Sequence, residues 1–100
     1  MTAYNIVRCK VKPGKEDELV RHYQEARPDI AGIRKVALIK TGERTYCVVG
    51  EWDNMESIVR ARPILAERLN GMRDLLEDLG DELGVTDPVS GEAVVEHVNL

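Results

Sequence analysis

Cysteine is scarce in this 100-residue chain, which carries only Cys9 and Cys47. Both sit inside alternating apolar runs, without the close pairing that zinc sites and redox motifs require. They read as buried free thiols in a reducing compartment. An excess of positive charge is also missing: 14 Lys+Arg against 18 Asp+Glu leave a formal charge of -4 and a pI near 5.2. That balance opposes the long-range attraction on which non-specific nucleic-acid or anionic-membrane binding relies, so neither partner is expected. It is compatible with a small anionic ligand. No apolar run approaches the length needed to span a bilayer, and Met1–Asn5 shows no positive stretch leading into an apolar one. The expected location is the cytoplasm.

What is present describes an ordinary globular chain, with 43% hydrophobic and 32% charged residues. Residues 1–100 have the size of one domain, so any active site must be built from one fold or shared between copies. A domain this small buries a modest share of its surface. Covering an exposed sheet face by self-association would add burial, which is the first indication of a homodimer.

Tyr4 to Lys12 alternates side chains and stops at Pro13-Gly14, which predicts a strand ending in a turn. Lys15 to Arg27 carries Leu19, Val20, Tyr23 and Ala26 at helical spacing, with acidic residues in its first turn and Pro28 closing it. Gly32 to Lys40 and Arg44 to Asp53 read as strands of a hairpin joined through Thr41-Gly42-Glu43. Asp53 or Asn54 can cap a second helix, which Pro63 should break or kink. Beyond it Leu65, Leu69, Met72, Leu76, Leu79 and Leu83 recur at spacings of four and three, predicting one helix face. Gly84 to Gly91 has loop chemistry, and Glu92 to Asn99 is expected as the last strand. The order βαββαβ implies an α+β, ferredoxin-like domain: a four-stranded antiparallel sheet with both helices on one face.

Such a sheet leaves its other face bare, and strand parity should sort residues between the two. Val7, Cys9 and Val11, then Cys47 and Val49, then Val94 and Val98, are small apolar sets suited to the side under the helices. The opposite parity collects Tyr4, Ile6 and Arg8, then Tyr46, Val48 and Trp52, then Val95 and His97. This mixture of aromatic, apolar and ionisable groups is the candidate site. Strands one and four should be neighbours, which would bring Arg8 and His97 together as a candidate catalytic pair for an anionic or phenolic ligand. Tyr46, Trp52, Ile6, Val48 and Val95 would bind its apolar body. The competing reading makes Arg8 an interface charge, His97 a hydrogen-bonded strand residue, and Tyr46 and Trp52 interface filler. For strand two, Ile33/Ala37/Ile39 and Val36/Leu38 are both plausible inward sets.

His22 has no partner at ligand spacing and reads as a helix-surface residue. Asn5, on the opposite parity from Arg8, reads as an edge or strand-start residue. Asp74, Glu77, Asp78, Asp81 and Glu82 interleave with the leucines as a solvated helix face and resemble no metal loop, so no metal is expected.

At Val11-Lys12-Pro13-Gly14-Lys15 and Val48-Val49-Gly50-Glu51-Trp52-Asp53 the sequence resembles the antibiotic biosynthesis monooxygenase-like, or dimeric α+β barrel, family. The shared element order and the Gly32-Ile33 start of strand two extend the likeness over most of the chain. The resemblance implies two copies joining their sheets as a barrel, with ligand cavities within the barrel or between sheet and helices. Some members are cofactor-independent oxygenases of polycyclic phenols, which implies an oxidoreductase without cofactor, acting on a small aromatic or conjugated metabolite. Others degrade haem with an asparagine on strand one and a tryptophan and a histidine on helix two. Approximate alignment puts Ala61 and Gly71 at those helix positions, and Trp52 belongs to a strand end, so haem degradation is disfavoured. A non-catalytic ligand-binding or regulatory dimer is the alternative. RNA-recognition domains share the element order, but Arg44 to Trp52 lacks their basic Gly/aromatic strand motif.

Overall fold

Ala3 and Cys9 give the first strand a buried face, which Val11 just beyond it extends, and the sheet assembles around that strand. In a computed structural model, which describes residues 1–27, 29–80 and 83–99, the order is β1 (Ala3–Lys10), α1 (Glu16–Glu25), β2 (Ile33–Gly42), β3 (Thr45–Trp52), α2 (Met55–Asn70), a short 3-10 turn (Arg73–Leu75) and β4 (Asp87–Glu92). The expected ferredoxin-like architecture is present. The four strands lie in the order β2-β3-β1-β4, every neighbouring pair antiparallel. Pro28, expected to close α1, lies outside the described residues, as do Asp81 and Glu82.

Gly14 turns the chain between β1 and α1 at φ 79, a conformation that costs most other residues a steric penalty. Glu16, Asp17 and Glu18 then occupy the first turn of α1, where negative charge complements the helix dipole. At α2 the side chain of Asn54 accepts from the backbone N–H of Ser57 at 2.9 Å, so the cap is Asn54.

Three expectations give way to tertiary context. Pro63 sits inside α2 without ending it; buried Ile58 and Ala61 before it and half-buried Leu65 after it hold both halves onto the sheet. The leucine periodicity does not continue as helix past Asn70. Gly71 closes α2, and Leu76 pairs instead with Val11 in an isolated bridge, supported by Lys12 N–H to Leu75 O at 2.8 Å and Glu77 N–H to Lys10 O at 2.8 Å. Met72 and Leu76 thus reach the core without the helix that their spacing implied. The last strand is Asp87–Glu92 rather than 92–99. Pro88 and Gly91 look like loop residues, but β4 is an edge strand, where proline costs no ladder bond on its open side.

The core forms two clusters at opposite ends of the sheet. Cys9, Val11, Leu19, Tyr46, Met72 and Leu76 make one; Ala3, Trp52, Ile58 and Ala61 make the other. Leu19 and Trp52 are fully buried, so trimming either to alanine should cost about 2–5 kcal/mol. Between the clusters lie the middle residues of β1 and β3, and there the helices stand off the sheet.

Candidate functional site

The register of β1 against β3 fixes which residues share a face. Cys9 lies opposite Tyr46, Val7 opposite Val48, Asn5 opposite Gly50 and Ala3 opposite Trp52. Directly opposed residues project to the same side, so Tyr46, Val48 and Trp52 join Val7 and Cys9 under the helices. This corrects the pairing of parities read from the sequence, which put Cys47 and Val49 there. Those two lie opposite Arg8 and Ile6 and share the bare face with them. Small size was the wrong criterion: a large ring gains more by burial than a cysteine or valine does.

The bare face carries Ile6, Val49, Cys47, Ala37 and Ile39 around its centre, with Val89 from β4 opposite Ile6. Ile6 is 39% exposed, Ile39 44% and Val89 60%. Arg8 reaches across to Asp87, its Nη2 donating to Oδ2 at 3.0 Å. Arg8 and His97 are not partners across strands, because β4 ends at Glu92 and both Val95 and His97 follow it as exposed residues outside any strand. Val94 and Val98, expected beneath the helices, are 87% and 78% exposed.

Beneath the helices lies a cavity of about 830 Å³. Its floor is the sheet: Asn5 and Val7 from β1, Val36 and Leu38 from β2, Tyr46, Val48, Gly50 and Trp52 from β3, and Pro88 and Ser90 from β4. Its roof is Val20 and Tyr23 of α1 and Ile58, Leu65 and Leu69 of α2. Of the sequence-predicted site residues, Tyr46, Trp52 and Val48 line it, whereas Ile6, Arg8, Val95 and His97 do not. Ile33 lines it together with Val36 and Leu38 because a register shift between Ile33 and Lys35 reverses the alternation of β2. Neither inward set proposed for that strand is therefore complete.

Two polar clusters close the ends. At one, Trp52 Nε1 donates to Asn5 Oδ1 at 2.6 Å, and Gly50 leaves the space for it. Sequence reasoning missed Asn5 as a cavity residue, although its parity with Val7 and Cys9 carried the signal. At the other, Tyr46 Oη donates to Glu16 Oε1 at 3.0 Å, and Lys40 Nζ lies 3.1 Å from the same oxygen. The Lys40 ammonium, then the Tyr46 hydroxyl, hold the Glu16 carboxyl below its ordinary range. Burial, then the bond to Glu16, pushes the Tyr46 phenol up. Tyr23 is likewise pushed up, chiefly by burial. His22, expected on the helix surface, is half-buried at the cavity rim, its ring edge-on to Tyr23 at 5.5 Å between centroids. Among the described residues no His/Cys/Asp/Glu cluster could hold a metal, and no helix is long and apolar enough to cross a membrane.

No protein-family model and no curated protein matches the chain. Solved structures do. A protein of Bordetella bronchiseptica assigned as an antibiotic biosynthesis monooxygenase superposes with a TM-score of 0.74 at 18% identity, over 94% of this chain and 98% of that one. A dimeric ferredoxin-like protein from an uncultured marine organism gives 0.73 at 15% identity, over 99% and 93%. A variant of SnoaB, a cofactor-independent oxygenase from Streptomyces nogalater, gives 0.64 at 14% identity, over 95% of each chain. At these identities the likeness is one of fold: this chain has the monooxygenase-like, ferredoxin-like build.

Proposed function

We propose that the protein is a homodimeric, monooxygenase-like protein that holds a small aromatic or conjugated metabolite between sheet and helices and uses no cofactor. The observation that carries this reading is the cavity of about 830 Å³, walled by Trp52, Tyr46 and Tyr23 with aliphatic side chains from every strand and both helices. Cofactor-free oxygenation asks the substrate to supply electrons after losing a proton, so the protein has to bind it, exclude water and stabilise its anion. The fold neighbour named as a cofactor-independent oxygenase supports that reaction class.

The second copy would cover the bare sheet face, where Ile6, Ile39 and Val89 lie open to solvent. The neighbour described as dimeric supports this arrangement. In this reading Ile6 and Arg8 belong to the interface, and a part for Arg8 or His97 in ligand chemistry would require the partner. Cys9 and Cys47 project from opposite faces of the sheet as free thiols, which suits the cytoplasm.

One observation favours binding without turnover. The Asn5 amide oxygen and the Tyr46 hydroxyl are already engaged by Trp52 and Glu16, and among the described residues no buried side-chain nitrogen or oxygen lacks a partner. The two readings separate in one experiment: native mass spectrometry for subunit number and retained ligand, followed by oxygen uptake with a polycyclic phenol. A dimer that consumes oxygen supports the enzyme. A dimer that binds the phenol without oxygen uptake supports the binding protein, and a monomer that binds nothing overturns both.

A further inference from the structure

Apart from Glu16, which closes one end of the cavity in its pair with Lys40, the charge at the cavity is positive. Its described lining includes Lys40, Arg62 and Arg68 and no aspartate or glutamate, in a chain whose acidic residues outnumber its Lys and Arg by 18 to 14. Lys40 is neutralised by Glu16 at 3.1 Å. Arg62 and Arg68 enter no ion pair among the described residues, as is also true of Arg21, Arg27 and Arg73, but only these two of the five line the cavity; Arg8, Arg34, Arg44 and Arg60 each meet a carboxylate. Arg60, on the same helix but outside the cavity lining, pairs with Glu56.

Arg62 and Arg68 stand at i and i+6 of α2 with half-buried Leu65 at i+3, along one ridge of the helix. The rise of an α-helix separates their Cα atoms by about 9 Å along its axis. Arg62 is exposed and screened by water, whereas half-buried Arg68 borders the apolar void, whose walls screen its charge less than open water would. The planar fork of arginine fits a carboxylate with two parallel hydrogen bonds. Between its two polar ends the floor offers aliphatic surface at Val48 and Leu38, both half-buried.

We propose that the cavity selects an anion: an aromatic or conjugated carboxylic acid, its carboxylate held by Arg62 or Arg68 and its apolar body lying over Val48 and Leu38, between the Asn5–Trp52 and Tyr46–Glu16 ends. This rests on the cavity being the ligand site and narrows the class of ligand that it takes.

Trp52 is the one tryptophan of the chain and lines the cavity, so its fluorescence reports occupancy. The test titrates the intact protein with two probes of matched shape, naphthoate and naphthamide. The acid should bind on the order of tenfold more tightly than the amide, the size of effect a charge-assisted hydrogen bond supplies. Added salt should narrow the gap. In the Arg62→Gln/Arg68→Gln double variant the preference should fall to within about twofold, with the amide's affinity unchanged; each single variant then tells which guanidinium holds the carboxylate. Equal or tighter binding of the amide by the unaltered protein would overturn anion selection while leaving the cavity as a binding site. A preference that survives in the double variant would overturn the assignment to α2. If neither probe perturbs Trp52, the cavity reading fails and this inference with it.

Discussion

The indole N–H of Trp52 donates to the side-chain oxygen of Asn5 at 2.6 Å, joining the end of β3 to the middle of β1. Trp52 is fully buried, so its donor has to find a partner within the protein. The bond also fixes the tilt of the indole that forms one wall of the cavity.

Asn5→Ala should therefore destabilise the protein by about 1–3 kcal/mol, the cost of leaving a buried donor unpaired. Urea unfolding followed by Trp52 fluorescence measures the loss. A shift well below that range would mean that water in the cavity replaces the amide.

Gly50 is required by the same bond. A Cβ there would strike Asn5 Oδ1 and lie 2.8 Å from Trp52 Nε1. Gly50→Ala should cost about 1–3 kcal/mol by forcing one or both side chains aside, and should alter the near-ultraviolet circular dichroism of the single tryptophan. An unchanged spectrum and unfolding midpoint would refute this account of the glycine.

The Glu16 carboxylate accepts from Tyr46 and pairs with Lys40, and its folded-state pKa lies below the unfolded value of about 4.5. A depressed carboxyl contributes stability that is present above the unfolded pKa and is lost as pH falls through the folded one. Wild-type protein should thus lose more stability than Glu16→Gln on acidification below about pH 4.5. Thermal melts of the two proteins from pH 6 to pH 3 check the sign; parallel curves would remove Glu16 from the acid response.

Ile6 lies opposite Val49 and Val89 at the centre of the bare sheet face. If a second copy covers that face, Ile6→Asp should shift the protein from dimer to monomer in light scattering, because an unpaired charge would be buried at the interface. A variant that stays dimeric would place the interface elsewhere.

Burial pushes the Cys9 thiol up to about 11, and its side chain is nearly inaccessible. In a Cys47→Ser background, the remaining thiol should react with a disulfide reagent near neutral pH only on unfolding. Rapid modification of the folded variant would contradict the packing of Cys9 against Leu19 and Met72.

Much of the site was half legible in the sequence. Tyr46, Trp52 and Val48 share one strand parity, and any reading of β3 groups them. What the sequence could not supply was the register between strands, which decides whether that parity joins Val7 or Ile6. Sliding β1 by one residue exchanges the two answers. The bulge at Ile33/Lys35 hid the inward set of β2 for a similar reason, since local alternation on either side of it points to opposite faces.

The order of elements was determined by the sequence alone, because it rests on local features: alternation in β1 and β3, the Pro13-Gly14 turn, acidic residues opening α1 and a capping residue at Asp53 or Asn54 before α2. Where each helix stopped and which edge residues became strand were decided by tertiary structure. Leu76 follows the helical spacing, yet it gains more by pairing with Val11 and filling the core beside Met72. Pro88 reads as a loop residue, yet the free side of an edge strand accepts it. The cavity also belongs to tertiary structure, since it is the gap left between two core clusters whose members are far apart in the chain.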